Sequence, residues 1–341
     1  MAAVAKSASR LYTRRPLLQT KTPPLQLLSS KKNIRMSSST ALTAPEPSAS
    51  ATAKANYKII QDSTDFSQTE AIRPPFNHSH PPIPVTKSPY PDWSYGQGVP
   101  NNSNGTSAAK AHREIDPYAA DRPVVNNYRL LVSGVAPRPV GFISTLSVSG
   151  DGETENLAPF SYFQVVDHDP PMFILGFSSR PGVEKDTLRN LKETGECVIN
   201  TVSENMIEAV NATSIDAPYG VSEWEISGLN KAPSSTVRPA RVRESVFSIE
   251  GKVIEIKEFE AHTPGMSVGG VVLIKATRFW VQEGAADEGF SNIDLEKLRP
   301  VAQLGGVSYG RILSTYERPR KRWEEEVSKS EVLAELGKRR S

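Results

Sequence analysis

The feature that most constrains the fold is a pair of β-prone segments joined by a strong turn signal. Residues 140–148 alternate in part between apolar and small polar side chains, and Ser149-Gly150-Asp151-Gly152 follows directly. Such a turn between two β-prone segments predicts a β-hairpin. The second strand is predicted over about residues 155–166, where Pro159 marks a bend or an edge position because proline cannot donate to a strand ladder.

More strands are predicted downstream by the same signals. Residues 172–177 are apolar on both faces, which is typical of a central strand in a closed sheet. Residues 197–202, 245–259 and 268–282 also read as strands, since they are rich in β-branched and aromatic side chains. The hydrophobic phase shifts after Val253, which predicts a β-bulge or bend there.

Helical spacing is confined to short segments. Residues 183–194 place Thr187 and Leu191 on one face. Ser203 is predicted to cap a helix that contains Met206 and Val210, and residues 294–298 form another short helix. The expected fold class is therefore mainly β, with a few short helices covering the openings of an antiparallel barrel.

Composition excludes several kinds of protein. The 341 residues carry a net charge of only +2, and both signs are interspersed, so nucleic acid is not an expected partner. No apolar run approaches the ~20 residues that span a bilayer. The single cysteine, Cys197, rules out an internal disulfide framework and a cysteine-based zinc site. It is predicted to be a small buried apolar residue in a strand, and no metal site is expected.

The first 45 residues contain basic residues, serine, alanine and leucine but no acidic residue. This composition favours an organellar transit peptide, and the alternative is a disordered basic tail. Met36 can also act as a second start that yields a cytosolic form. The expected location is therefore mitochondrial or cytoplasmic.

Two more segments flank the predicted domain, which spans residues 113–316. Residues 46–112 are rich in proline and serine and are expected to be largely disordered. The aromatic group at residues 90–96 leaves a docked arm as the alternative. The charged tail, residues 317–341, is expected to form a solvated helix, and partner binding is an alternative without support.

Small hydroxyl residues on apolar strands, followed by cations at a helix start, suit an anionic, flat, aromatic ligand. A phosphate needs charge-assisted donors. Lys185 at the start of a predicted helix adds its ammonium to the free backbone N–H groups there, and Thr187 can donate a hydroxyl. On spacing alone, a solvated first-turn lysine is the better explanation of Lys185, and only the whole set of motifs reverses that preference.

The ordered set of motifs resembles the flavin-reductase-like, FMN-binding split-barrel family over residues 113–316. The shared segments are Arg138-Pro139 with Ser144-Thr145, then Asn156-Leu157-Ala158-Pro159-Phe160-Ser161, then Asp169-Pro170-Pro171, Lys185-Asp186-Thr187 and Glu196-Cys197-Val198-Ile199-Asn200. The resemblance implies a split β-barrel with Greek-key-like antiparallel strands, an FMN cofactor and a homodimer. Leu304–Arg311 is a candidate part of the dimer interface.

The resemblance also implies roles for ten residues. The residues expected around the ribityl phosphate are Ser144, Thr145, Lys185, Asp186 and Thr187. The residues expected to border the isoalloxazine ring are Asn156, Ala158, Pro159 and Ser161. Arg138 is expected either to reach the phosphate or the ring edge, or to form a structural ion pair.

One departure from the family pattern concerns the nicotinamide co-substrate. Typical flavin reductases of this group carry Gly-Asp-His before the last core strand, whereas residues 264–269 read Pro-Gly-Met-Ser-Val-Gly, and His262 is the nearest histidine. The first hypothesis is an FMN-dependent oxidoreductase, specifically an NAD(P)H:flavin reductase. The second is a non-catalytic FMN-binding carrier or scaffold, which the missing histidine favours. A pyridoxine-phosphate oxidase ranks last, since no basic cluster is available for a second phosphate.

Overall fold

The computed structural model describes residues 66–100, 111–148, 154–179, 183–262 and 268–339, all within one compact unit that spans Tyr57–Ser341. The helices are α1 (Phe66–Ala71), α2 (Val124–Gly134), α3 (Asp186–Thr194), α4 (Ile207–Ala212), α5 (Glu223–Ser227), α6 (Leu295–Leu298), α7 (Trp323–Glu326) and α8 (Glu331–Lys338). The strands are β1 (Val85–Thr86), β2 (Arg138–Pro139), β3 (Gly141–Ser147), β4 (Thr154–Phe160), β5 (Phe163–His168), β6 (Pro171–Ser179), β7 (Glu196–Thr201), β8 (Lys231–Ala232), β9 (Arg241–Val242), β10 (Phe247–Glu260), β11 (Val268–Val281), β12 (Val301–Gln303), β13 (Tyr309–Arg311) and β14 (Thr315–Tyr316).

The main sheet is rolled into a barrel because its two edge strands are neighbours in sequence. Its seven strands run in the order β4-β3-β7-β10-β11-β6-β5, with antiparallel pairing throughout. Only Ser161 and Tyr162 separate the edge strands β4 and β5. A flat sheet of this width would hold its edges about 29 Å apart. A short link cannot span that distance, since an extended residue covers at most about 3.6 Å. The sheet must therefore curl, as expected for a split barrel.

The prediction of one strand over residues 155–166 was wrong. The chain forms two strands there, and the break between them explains how the barrel closes. The chain forms β4, which pairs with β3, and then β5, which pairs with β6 on the opposite edge. Pro159 is tolerated within β4 because an edge strand has one side free of the ladder. The break falls at Ser161–Tyr162, just after the proline.

The other strand predictions are confirmed. The register of β3 on β4 is that of the expected hairpin, although its turn, residues 149–153, lies outside the described residues. The long hairpin of β10 and β11 shifts register between Val253 and Glu255, where the sequence predicts a bulge. Helix α3 begins at Asp186, three residues later than its periodicity suggested.

The barrel interior and its outer helices form two apolar clusters. The first contains Ile143, Leu175, Ile199 and Ile274, with Leu188 and Leu191 of α3 closing over it. The second packs Trp224 of α5 and Val210 of α4 against the opposite side of β3. Cys197 belongs to the first cluster, and burial raises the pKa of its thiol to about 12, so it serves as a packed apolar group.

The segment before the barrel is docked on it between Phe76 and Gly96. Strand β1 pairs in parallel with β14, and the Ile83 amide donates to Glu296 Oε1 at 2.9 Å. Tyr95 donates to Glu326 Oε2 at 3.3 Å. The structure therefore adopts the docked-arm alternative here. Residues 1–65 and 101–110, where the transit peptide and further disorder were expected, lie outside the described residues.

The tail forms two short helices, α7 and α8. Leu333 of α8 is buried, and Val332 lies 3.6 Å from the position that a Cβ on Gly96 would occupy. The tail thus packs against the N-terminal arm, whereas a wholly solvated helix was expected. Within the described residues, no helix combines the length and apolarity that crossing a membrane requires.

Candidate active site

The start of α3, the strand β4, the end of β6 and the loop of residues 213–219 enclose a cavity of about 540 Å³, here called the α3 cavity. Its volume lies in the range of small-molecule and cofactor sites. Six of the ten predicted site residues line it: Asn156, Ala158, Pro159, Lys185, Asp186 and Thr187. The β-hairpin and the helix therefore converge on one cavity although about 25 residues separate them in sequence.

The N-terminus of α3 offers donors to this cavity. Lys185 occupies the N-cap position with extended backbone, and none of the described side chains caps the helix. Only from Arg189 onward do amides bond within the helix, its N–H donating to the Lys185 carbonyl at 3.1 Å. The amides of Asp186 and Thr187 thus lie in the first turn at the cavity wall, where the helix dipole favours an anion.

A buried hydrogen-bond network fixes the hydroxyls behind the cavity. Asn156 Nδ2 donates to Thr187 Oγ1 at 2.9 Å and to Thr145 Oγ1 at 3.2 Å. Asn190 Nδ2 donates to the same Thr145 oxygen at 3.0 Å. Because Thr187 accepts from Asn156, its hydroxyl proton remains for a ligand. Thr145 therefore acts indirectly. It accepts from the Asn156 amide, and that amide orients Thr187.

The loop of residues 213–219 is tied to the same network. The Tyr219 hydroxyl donates to Ser147 Oγ at 2.7 Å, which anchors the loop to β3. The Arg189 guanidinium lies 4.0 Å from the centre of the Tyr219 ring. This stacking holds both side chains at the cavity wall, and it places a second cation one helical turn after Lys185.

Four carboxyl groups line the cavity together with these cations: Glu184, Asp186, Asp216 and Glu223. Burial raises the pKa of Asp186, although Arg189 and Lys185 act to lower it. Burial also raises the pKa of Glu223, which accepts the Leu157 amide at 3.0 Å. The cavity therefore combines two cations with four carboxyl groups, and the raised pKa values of Asp186 and Glu223 make those two easier to protonate than an ordinary carboxyl group.

The Ser179 hydroxyl shows whether a phosphate would fit the cavity. Its side chain is buried at the end of β6, it lines the cavity, and Oγ has no hydrogen-bond partner among the described residues. A buried polar atom without a partner is costly, and a ligand oxygen would satisfy it. With the α3 amides and Lys185, this donor set fits a phosphorylated cofactor.

Comparison with known proteins assigns the fold to a family. Residues 133–295 match the model of the flavin reductase like domain. An uncharacterised protein of Halalkalibacterium halodurans is 36% identical over 195 residues, which cover 57% of this chain and 90% of that protein. This chain belongs to the flavin reductase-like family. That membership supports flavin binding and a flavin-related oxidoreductase activity.

Solved structures agree with the flavin reductase-like assignment. Component B of nitrilotriacetate monooxygenase from Bacillus cereus has a TM-score of 0.55 and 27% identity, covering 63% of this chain and 100% of that chain. A split-barrel domain protein from Shewanella frigidimarina has a TM-score of 0.50 and 22% identity, covering 59% and 95%. The second likeness concerns the fold alone, and it confirms the split barrel.

Three of the predicted residues lie elsewhere in the flavin reductase-like domain. The Ser144 hydroxyl donates to the Ala240 carbonyl on the opposite face of β3 from Thr145, because adjacent strand residues alternate in direction. Arg138 donates to the carbonyls of Val132 and Gly305, and its Nε donates to Ser161 Oγ at 3.2 Å. The structure therefore brings none of these three side chains to the α3 cavity. Arg138 makes its hydrogen bonds to neutral groups.

Fourteen of the twenty cavity residues were not predicted, and four of these take part in the contacts described above: Ser179, Arg189, Tyr219 and Glu223. Arg189 was recoverable from the sequence, since a residue four positions after Lys185 lies on the same side of a helix. The other three were not, because they come from a strand end, from a loop without clear periodicity and from the short helix α5.

Proposed function

We propose that this protein is an FMN-dependent oxidoreductase, specifically an NAD(P)H:flavin reductase. The observation that carries the proposal is the α3 cavity, lined by the start of α3, Lys185 and the Ser179 hydroxyl; among the described residues, no side chain caps that helix start and none bonds that hydroxyl. Together they provide charge-assisted and neutral donors for a phosphate dianion. The family membership supports a flavin as the group that carries this phosphate.

The cavity residues form two groups, one for each end of the proposed cofactor. The amides of Asp186 and Thr187, the Lys185 ammonium and the Ser179 hydroxyl would hold the phosphate. Strand β4 would border the ring, since Ala158 and Pro159 offer an apolar edge at the same cavity. Because β4 is an edge strand, carbonyl groups on its outer side are available to the polar rim of a ring, whereas the Leu157 amide there already donates to Glu223.

When bound, the flavin supplies the electron-transfer chemistry. The protein then has to orient the cofactor and keep water from the reacting face. Asn156 serves orientation, because it ties the ring-bordering strand to Thr187 at the phosphate end. The likeness to a monooxygenase component supports a second protein as the user of the reduced flavin.

A non-catalytic FMN carrier is the second candidate. The absence of the family's Gly-Asp-His segment favours it, since that histidine would otherwise stand near the co-substrate. Residues 263–267 of the corresponding loop lie outside the described part of the chain. The two candidates share the FMN site and differ only in turnover.

Turnover separates the candidates in one anaerobic experiment. FMN is titrated into the purified protein, and then NADH or NADPH is added while the visible absorption of oxidised flavin is followed. Bleaching that depends on the protein supports the reductase and identifies the nicotinamide. A bound flavin that keeps its colour supports the carrier, and no bound flavin at all contradicts both.

We further propose a homodimer. Leu130 and Leu131 on α2, Val135 just after that helix and Val165 on the edge strand β5 are exposed apolar side chains. Exposed apolar side chains in this number are typical of an interface. Light scattering gives the mass in solution, and Leu131→Lys should shift a dimer to the monomer while leaving the circular dichroism spectrum unchanged. A wild-type monomer mass at micromolar concentration contradicts the proposal.

The location remains a proposal of mitochondrion or cytoplasm. It rests on the basic, acid-free composition of residues 1–45. Sequencing the N-terminus of the native protein tests it, since an intact residue 1 contradicts import with cleavage.

A further inference from the structure

Helix α5 sets a buried carboxylate against the edge strand β4. Glu223, the first residue of α5, is 6% exposed and lines the α3 cavity. Its Oε2 accepts the Leu157 amide at 3.0 Å. The next residue, Trp224, belongs to the apolar cluster beside β3, so the core fixes the position of the carboxylate. Among the described residues, no lysine or arginine forms an ion pair with Glu223. Its contact with β4 is therefore the contact that needs an explanation.

The register of β4 shows which of its main-chain groups lie on the outer side of the strand. In an antiparallel pair, facing residues alternate between those that exchange both ladder bonds and those whose N–H and C=O groups point away from the partner strand. Leu157 is of the second kind, since it faces Ser144 in the ladder while its amide donates to Glu223. Pro159, two residues further on, therefore also turns its carbonyl to the outer side.

The cavity wall formed by β4 and Glu223 offers acceptors and no free amide. Pro159 lines the cavity and has no N–H group. Leu157 has one, but Glu223 accepts it. The groups that remain on this side are the Pro159 carbonyl and the Glu223 carboxylate, which are both hydrogen-bond acceptors. A ligand group that faces this wall must therefore donate, because two facing acceptors leave each other unsatisfied.

This requirement selects one edge of the flavin ring, and here the inference rests on the proposed FMN site. The oxidised isoalloxazine ring carries a single N–H group, at the imide nitrogen N3, and its other polar ring atoms are acceptors. Only the N3 edge can therefore donate to the wall of β4 and Glu223.

We propose that Glu223 is a positioning residue that decides which edge of the flavin ring faces β4. By holding the Leu157 amide, it keeps this wall free of donors, and the wall then receives the N3–H group of the ring. The carboxylate thus has two effects, since it tethers the edge strand and it sets the polarity of the wall.

Methylation of the ring nitrogen tests the orientation. FMN and 3-methyl-FMN carry the same phosphate, so the ratio of their dissociation constants reports on the ring end alone. We expect 3-methyl-FMN to bind the wild-type protein about tenfold more weakly, as measured by flavin fluorescence. The titrations are done at about pH 8 to keep the carboxyl group ionised, because burial raises the pKa of Glu223. Equal affinities overturn the proposal.

Glu223→Gln separates the choice of ring edge from the tether. Glutamine keeps one oxygen for the Leu157 amide and replaces the other with an NH2 donor. FMN then meets a donor with its own N–H group whereas 3-methyl-FMN does not, so the ratio should fall to about threefold or less. A residue that only tethers β4 would leave the ratio at its wild-type value, and that result overturns the proposal.

Glu225→Gln is the matched control. It makes the same change on the same helix at an exposed position that does not line the cavity. The ratio should stay at its wild-type value in this variant. An equal fall in both variants contradicts the assignment to Glu223.

The imide proton gives a measurement that needs no variant. When ¹⁵N-labelled FMN is bound to the wild-type protein, a hydrogen bond from N3–H should slow the exchange of this proton with water and give a resolved NMR signal. A bound flavin whose N3–H exchanges as fast as in free FMN overturns the proposal but leaves the FMN site intact. No binding of FMN at all contradicts the proposed function as well, so the two failures are distinguishable.

Discussion

The α3 cavity and the cluster around Glu204 both gather charged side chains, yet they are completed differently. Glu204 is buried, with a side chain 8% exposed, and a histidine and two arginines of the chain itself surround it. His80 Nδ1 lies at 2.7 Å, Arg311 at 3.4 Å and Arg299 at 3.8 Å from its oxygens. Neither Glu204 Oε1 nor Ser179 Oγ of the α3 cavity has a hydrogen bond among the described residues, but ionisable side chains of the chain itself lie within 4 Å of the Glu204 oxygen. The comparison teaches that pairing with the chain's own side chains distinguishes a structural cluster from a ligand site.

The Glu204 cluster also explains why the N-terminal arm docks. Arg311 lies over the Phe76 ring at 4.7 Å and donates to the Asn77 carbonyl at 3.2 Å. Arg299 reaches the carbonyls of His80 and Pro81, each at 3.4 Å. The arginines that neutralise Glu204 are therefore the same groups that hold the arm. Removing the Glu204 carboxylate should therefore weaken both the cluster and the docking of the arm.

The largest expected effect is on this closed cluster. Glu204→Gln leaves Arg299 and Arg311 without their buried carboxylate, and we expect the free energy of unfolding to fall by about 2 kcal/mol. This lies below the usual range for a broken buried ion pair because both arginines are about one-fifth exposed. Urea denaturation measures the loss, and hydrogen exchange should accelerate at the Ile83 and Thr315 amides, which bond between arm and barrel.

The matched control for that change is Glu326→Gln. Glu326 also contacts the arm, through Tyr95, but its other partner Lys329 is 65% exposed. Such pairs contribute about 0.5 kcal/mol. Equal losses in the two variants would contradict the view that Glu204 organises the arm.

The two regions also differ in how far the sequence predicts them. Lys185, Asp186 and Thr187 are recognisable because they are consecutive and precede a helix with clear periodicity. The Glu204 cluster is not, since His80, Arg299 and Arg311 are brought together from distant parts of the chain, and local patterns carry no signal for such contacts. Tyr219 and Ser179 were not predicted for the same reason: they reach the cavity from distant parts of the chain.

The fold predictions divide in the same way. Local features were predicted correctly, whereas features that depend on distant parts of the chain were not. The strand β3, the apolar run in β6 and the bulge in β10 follow from local features, and the structure confirms them, although both faces of β3 are buried. The split between β4 and β5 is not local, because it depends on which edges of the sheet meet when the barrel closes. The docked arm likewise depends on partners more than 200 residues away.

The next effect concerns the open site. Lys185→Glu should weaken FMN binding by at least tenfold, because it replaces a cation at the helix start with a charge of the same sign as the phosphate. Quenching of flavin fluorescence on titration measures the dissociation constant. Lys275→Glu makes the same charge change on the exposed face of β11 and should leave the affinity within twofold. Unchanged affinity in Lys185→Glu would remove this residue from the site.

A smaller effect is expected for the second cation. Arg189→Met keeps an unbranched side chain over Tyr219 but removes the positive charge, and we expect FMN affinity to fall about threefold. Arg189→Lys restores the charge without the planar stack and should recover most of the loss. If the lysine variant is as weak as the methionine variant, the role of Arg189 is to position the Tyr219 loop, and the electrostatic account fails.

The smallest effect is a pH dependence that separates Asp186 from the phosphate itself. Burial raises the pKa of Asp186, so its carboxyl is protonated at a higher pH than an ordinary aspartate. As pH falls through that raised pKa, the repulsion of the phosphate disappears; as pH rises above it, the repulsion returns. Asp186→Asn lacks the titrating group but shares the titration of the FMN phosphate. The ratio of wild-type to variant dissociation constants, measured between about pH 4 and pH 8, should therefore rise from near one to about twofold with increasing pH. A ratio that stays constant over this range would show that Asp186 does not face the bound phosphate, which would leave the helix amides and Lys185 as the groups that recognise it.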